Sequence, residues 1–272
     1  MKGIFVKRHT VERLAWIDAL RAIAIILVVF GHQVKGETDY FLFTSPIKMP
    51  LFFAISGYVF SMRGGADSLF WKSLFLKIIV PWFGLALIPF LPRLVMGGAI
   101  SDFMYNLISG KTLWFMPCFL FAEIIHYYIR KFAVKESILL VAIAIVTGLG
   151  FLADYFGVLS FGMINRALIV QSFFLIGYIF KRYEDYFKQI RWIILISSFF
   201  VYIGLCLLSR GLYPGETIDV HLNRYYNIPY CFLLIFLGCL TLFSIASKLN
   251  FGNKVLSYVG QNTLLIYIWH KE

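Results

Sequence analysis

Apolar residues fill this chain in long blocks, separated by short connections rich in charge, glycine and proline. The first block is unbroken over residues 22–31 and, with its flanks, is long enough to cross a bilayer as a helix. Comparable blocks recur at about 46–62, 73–97, 113–129, 137–156, 164–180, 192–209, 225–247 and 255–270, the first extending over about 15–34. The pattern predicts an all-α protein, a polytopic transmembrane helical bundle of about nine spans. The third block holds Pro81, Pro89 and Pro92, which predicts a broken or re-entrant helix. No internal repeat, low-complexity tract or second soluble domain interrupts the series. The longest connections, near 93–112 and 210–224, are short, so residues 1–272 read as a single membrane-embedded domain.

Composition agrees. Hydrophobic residues make up 60% of the chain and charged residues 14%, with a mean hydropathy of +0.80. That leaves too little polar surface for a soluble domain of 272 residues. A net charge of +11 would suit nucleic acid only if it formed a basic stripe on a wet face, and here the cations lie between apolar blocks. No nucleic-acid partner is expected. Of the 25 lysines and arginines, sixteen fall on the N-terminal side of the predicted spans, eight on the other, and Arg21 within the first span. The positive-inside rule therefore predicts a cytoplasmic N-terminus. Charges break the first apolar block's flank and no small-residue cleavage pattern follows, so it reads as a permanent span. Cys118, Cys206, Cys231 and Cys239 all lie in apolar blocks without a C-x-x-C pair and read as small core residues.

The first span, RLAWIDALRAIAIILVVFGHQ over residues 13–33, carries Asp18, Arg21 and His32 in an otherwise apolar helix. Arg21 and His32 are eleven residues apart, which brings them to within about 20° of one face and about 16 Å apart along the axis. Asp18 precedes Arg21 by three residues on the same side. One reading is a local ion pair at the helix start with His32 at the far interface. The other is a functional face turned to a protein interior or a wet cavity, where intramembrane ionisable groups belong.

Arg followed by ten residues and His resembles the signature of the acyltransferase 3 family of integral membrane acyltransferases. Four further stretches resemble that family in its order: PLFFAISGYVF from Pro50, LKIIVPWF from Leu76, TLWFMPCFLFAE from Thr112, and LSYVGQNTLLIYIWH from Leu256. Lys77 stands four residues before Pro81 where the family often has Arg, and Met116 replaces a Leu.

The resemblance implies transfer of an acyl group, most commonly acetyl, from acetyl-CoA or another acyl-CoA to a hydroxyl of a cell-envelope carbohydrate. It implies His32 as general base, or as an acyl carrier, and Arg21 as the group that orients the donor. Lys72 and Lys77, at the start of the third span, are candidates for CoA phosphates, against a plain role as snorkelling anchors. Trp114 and Glu123 are the candidate substrate-binding residues: Trp114 as a sugar platform or interfacial belt residue, Glu123 as a charge partner of Arg21 near mid-membrane. Glu123 and His126 share one helical face, but no third ligand is apparent and no metal is expected. Arg166 reads as an outer cap, residues 210–224 as an acceptor-side loop or a solvated one, and Asn262 and His270 as cavity-lining candidates. The expected partners are membrane lipid and a carbohydrate acceptor, free or lipid-linked, in a bacterial-type inner membrane.

Two other readings stay open. A multi-pass transporter or flippase for a lipid-linked glycan would use Arg21, His32 and Glu123 as a substrate or proton path. The resemblance also implies a further helix beyond Tyr267-x-x-His270, so an inactive, truncated relative is the third.

Overall fold

The computed structural model describes residues 14–34, 39–62, 67–250 and 252–270, apart from the side chains of Pro89, Arg93 and Leu94. Lys2, Lys7, Arg8, Arg13, Lys35, Arg63 and Lys271, counted in the charge asymmetry, lie outside the described residues, as does the end at Glu272. Helices make up nearly all of what is described.

Helix α1 (Ala15–Gln33) places Asp18 in its first turn and His32 in its last, each where the helix dipole favours its charge. Helix α2 (Asp39–Met62) continues through Pro46 and Pro50. Their rings deprive the Leu42 and Pro46 carbonyls of the usual i+4 donors, a loss that neighbouring helices can offset in an apolar bundle. Beside the first break, the Tyr202 hydroxyl donates to the Phe43 carbonyl at 2.6 Å.

The proline-rich third block is helical rather than re-entrant. It runs as α3 (Asp67–Leu74), a π-helical turn over Phe75–Ile79, and α4 (Val80–Val95). Pro81 lacks the N–H that would bond the Lys77 carbonyl, and the wider turn absorbs that defect without breaking the helix.

There follow α5 (Ile100–Ser109), α6 (Phe115–Phe132), α7 (Glu136–Tyr155), α8 (Ile164–Ile169), α9 (Gln171–Arg182), α10 (Glu184–Gln189), α11 (Trp192–Leu212), α12 (Ile228–Lys248), α13 (Lys254–Gln261) and α14 (Thr263–Trp269).

Among the described residues, six helical stretches are long and apolar enough to cross a membrane: α1, α2, Asp67–Ile88, α7, α11 and α12. A seventh arises if Phe161–Ile169 and Gln171–Arg182, bent by 44° at their junction, form one span. The count of about nine is therefore not confirmed among the described residues. Helix α6 is 18 residues long but bears Glu123, Arg130 and Lys131, and the last block is divided at Asn262 into helices of 8 and 7 residues.

Glycines set the tightest contacts. A Cβ built on Gly57 would overlap the Phe174 carbonyl, and one on Gly177 would overlap the Ala54 carbonyl, so α2 and α9 touch backbone to backbone. Gly260 of α13 meets the Asp18 carbonyl of α1 in the same way. At the end of the bundle where α1 begins, Trp16 packs on Tyr58, Phe180 and Phe243. By contrast, α7 and α11 bury one narrow stripe each and turn Val141, Ile145, Leu149, Ile193, Ile196 and Phe200 outward. Helices apolar on nearly every face need an apolar surround.

Candidate active site

Among the described residues, two adjoining cavities lie along α1, here called inner for the end where α1 begins and outer for the end where it finishes. The inner one, about 320 Å³, is lined by Arg21, Ser56, Lys77, Glu123 and Gln261 together with Met49 and Tyr267. The outer one, about 390 Å³, is lined by His32, Lys48, Trp114, Asp219 and His221, again with Met49 and Tyr267. Those two side chains thus form the partition between the chambers. The eleven-residue spacing explains the arrangement: one face of α1 delivers its guanidinium to one chamber and its imidazole to the other.

The local ion pair forms, and it does not keep this face of α1 from the cavities. Arg21 Nη1 lies 3.2 Å from Asp18 Oδ1, and Gln261 Nε2 is 3.4 Å from Asp18 Oδ2. Asp18 is almost wholly buried, and a buried carboxylate needs such partners. The acid therefore fixes the guanidinium at the chamber wall while tying α1 to α13.

Lys77 comes from the π-helical turn and, though exposed, reaches the lining of the inner chamber; Glu123 comes from α6 and is buried there. Lys72 stands exposed on α3 and is not part of either lining. Trp114 is buried at the outer chamber, its indole stacked on the His221 imidazole with centroids 4.9 Å apart and planes 23° apart. It is a cavity residue rather than a lipid-facing belt residue.

His126 is kept apart from the chambers. It is fully buried against Phe60 and Phe174, and its Nδ1 lies 3.1 Å from Gln171 Oε1. Gln171 Nε2 donates to the Ala122 and Ala167 carbonyls, so its oxygen faces the imidazole and Nδ1 carries the proton. This pair joins α6 to α9. No group of three His, Cys, Asp or Glu side chains placed to hold a metal occurs among the described residues.

A family model described as an acyltransferase domain matches residues 14–271, nearly the whole chain. The chain belongs to the acyltransferase 3 family. No curated protein and no solved structure matched it.

In this acyltransferase-family chain, sequence reasoning missed Lys48, Tyr267 and the combined placement of Asp219 and His221. Helix α2 carries Lys48 into the outer chamber, 4.7 Å from the centre of the Phe41 ring. His270 follows α14 and brings its ring to 4.7 Å from that of His32. Its Nδ1 lies 2.6 Å from the Tyr267 carbonyl; a carbonyl only accepts, so that nitrogen donates. Arg166 does more than cap a helix: its Nε donates to the His221 carbonyl at 2.9 Å. The signal for these residues was available only as isolated polar letters in apolar or turn-like contexts.

Proposed function

We propose that the protein moves an acetyl group from acetyl-CoA to a hydroxyl of an envelope carbohydrate, across the Met49–Tyr267 partition. The observation that supports this is the division of labour between the chambers. The inner one presents two cations, Arg21 and Lys77, against the one carboxylate Glu123; the outer one presents His32 among polar and aromatic groups. A long, anionic thioester donor suits the first, and a hydroxyl acceptor suits the second. With the N-terminus in the cytoplasm of a bacterial-type inner membrane, the donor enters from the side where CoA is made.

His32 would take the proton of the acceptor hydroxyl as its oxygen attacks the thioester carbon. The C–O bond forms, the C–S bond breaks, and the imidazolium returns the proton to the departing thiolate. Arg21, held by Asp18, would grip the carbonyls of the pantetheine arm with its fixed fork of donors. Lys77 would hold the CoA phosphates at the mouth of the inner chamber. In the two-step variant His32 itself carries the acetyl group between the chambers.

The test is mass spectrometry of envelope glycans from cells with the wild-type chain, His32→Ala or His32→Gln at equal membrane levels. Acetyl esters with the wild type alone support the assignment. Esters in every strain remove His32 from the mechanism, and esters in none favour the transporter.

A further inference from the structure

The connection between α11 and α12 is an ordered cover for the outer chamber. Ile218 and Val220 are buried and join the main core, which pins the segment by its apolar side. Asp219 N–H donates to the Arg224 carbonyl at 3.0 Å and Arg224 N–H donates back to the Asp219 carbonyl at 2.9 Å, closing a turn over 220–223. Leu222 N–H donates to Asp219 Oδ1 at 3.1 Å, and Asn223 takes a left-handed φ of 53°, which asparagine tolerates better than most residues.

Two helices brace this turn from outside. Arg166 of α8 holds the His221 carbonyl, and Asn223 Nδ2 donates to Asp154 Oδ1 of α7 at 2.9 Å. Asn165 Nδ2 donates to the same oxygen at 2.8 Å, and Arg166 Nη1 to Asn165 Oδ1 at 2.9 Å. The backbone is thereby fixed, while Thr217, Asp219 and His221 face the chamber beside His32, Lys48 and Trp114. A network spent on holding a loop over a cavity is the kind of support a recognition site requires.

The chemistry of the lining narrows the ligand. A simple anion would meet Asp219, a simple cation would meet Lys48, and an acyl chain would strip water from both without replacing its hydrogen bonds. A sugar ring answers the whole set, because its hydroxyls donate to a carboxylate, accept from an ammonium and do either with imidazole, while its C–H face lies against aromatic rings.

We propose that the Thr217–Arg224 turn is the acceptor-recognition element, in which Asp219 and the Trp114-backed His221 bind hydroxyls of a sugar ring and select the one presented to His32. The assignment rests on the acyltransferase reading of the chambers and names the residues that would set its specificity.

The experiment compares wild type, Asp219→Asn, His221→Phe and His32→Gln. Acetyl-CoA is the donor, and the cells' own envelope glycans are the acceptor, with esters located by mass spectrometry. Asp219→Asn keeps an oxygen for the Leu222 N–H, and His221→Phe keeps a ring on Trp114, so both spare the fold. Each should lower ester yield by about tenfold or move the ester to another hydroxyl, with the apparent KM for acetyl-CoA within about twofold of wild type. Wild-type yield and position in both variants would overturn the proposal alone, as would a donor KM that rises in step with the loss of yield. No ester from the wild-type chain would overturn the acyltransferase reading and this proposal with it.

Discussion

His32 on α1 and His270 beyond α14 face one another at 4.7 Å between ring centroids, with planes inclined by 44°. The contact joins α1 to the last described residue of the chain, with His32 also lining the outer chamber. His270 is in turn oriented by the Tyr267 carbonyl, and Tyr267 is part of the partition. Replacing His270 with Ala should leave His32 less well oriented and lower kcat by about tenfold, with the KM for acetyl-CoA unchanged. Initial-rate kinetics in isolated membranes would show it; a change in KM alone would contradict it.

Lys77 and Lys72 are neighbours in sequence but not in position. Only Lys77 lines the inner chamber, so Lys77→Glu should raise the apparent KM for acetyl-CoA by about tenfold, while Lys72→Glu should leave it near wild type. Equal effects would mean that both act as general surface charge.

Met49 belongs to both chambers, and its flexible thioether is easily displaced. Met49→Trp should fill the passage and reduce transfer by about tenfold or more, while acetyl-CoA still binds. Parallel measurement of ester yield and donor binding separates the two; undiminished transfer would show that the groups meet elsewhere.

Gly177 touches the Ala54 carbonyl and Tyr58 N of α2, where there is no room for a methyl group. Gly177→Ala should destabilise the bundle by about 1–3 kcal/mol through forced separation of α2 and α9. Gly204, whose added Cβ meets nothing within 4 Å, should accept Ala without comparable loss. Thermal unfolding in detergent, followed by size-exclusion chromatography, compares the pair.

Glu184 sits just past α9 and gathers Lys181 and Lys188, each at 2.7 Å, and the Tyr58 hydroxyl at 3.0 Å. Burial alone would raise its carboxyl, but the two ammonium groups and the phenol outweigh it and hold the group below its ordinary value. The stabilisation is present above the unfolded carboxyl range, about pH 4.3, and fades as pH falls through the lower folded value. Glu184→Gln should remove this acid-dependent component. Midpoints of thermal unfolding should differ by a constant gap above about pH 5 and converge for wild type and variant only below about pH 4, as the folded value is passed; a gap that persists to about pH 2 would contradict the assignment.

The sequence by itself determined the helical class, because apolar blocks of bilayer length leave the backbone few other ways to satisfy its hydrogen bonds. It also determined the shared face of Arg21 and His32, since that follows from the rise and turn of one helix. The span count was less legible, because α6 carries three charges and the last block divides at Asn262, and hydropathy alone does not weigh such interruptions.

Only the tertiary structure decided which polar groups meet. Lys48 of α2, the Asp219–His221 turn and Tyr267 of α14 come from three parts of the chain, and nothing in their spacing encodes a common cavity. Lys72 and Lys77 look equivalent in the sequence and both are exposed, but only Lys77, in the π-helical turn, reaches the lining of the inner chamber. Helical periodicity fixes what lies on one face of one helix. Backbone contacts at Gly57, Gly177 and Gly260, with the hydrogen bonds bracing the 220–223 turn, fix which faces are brought together.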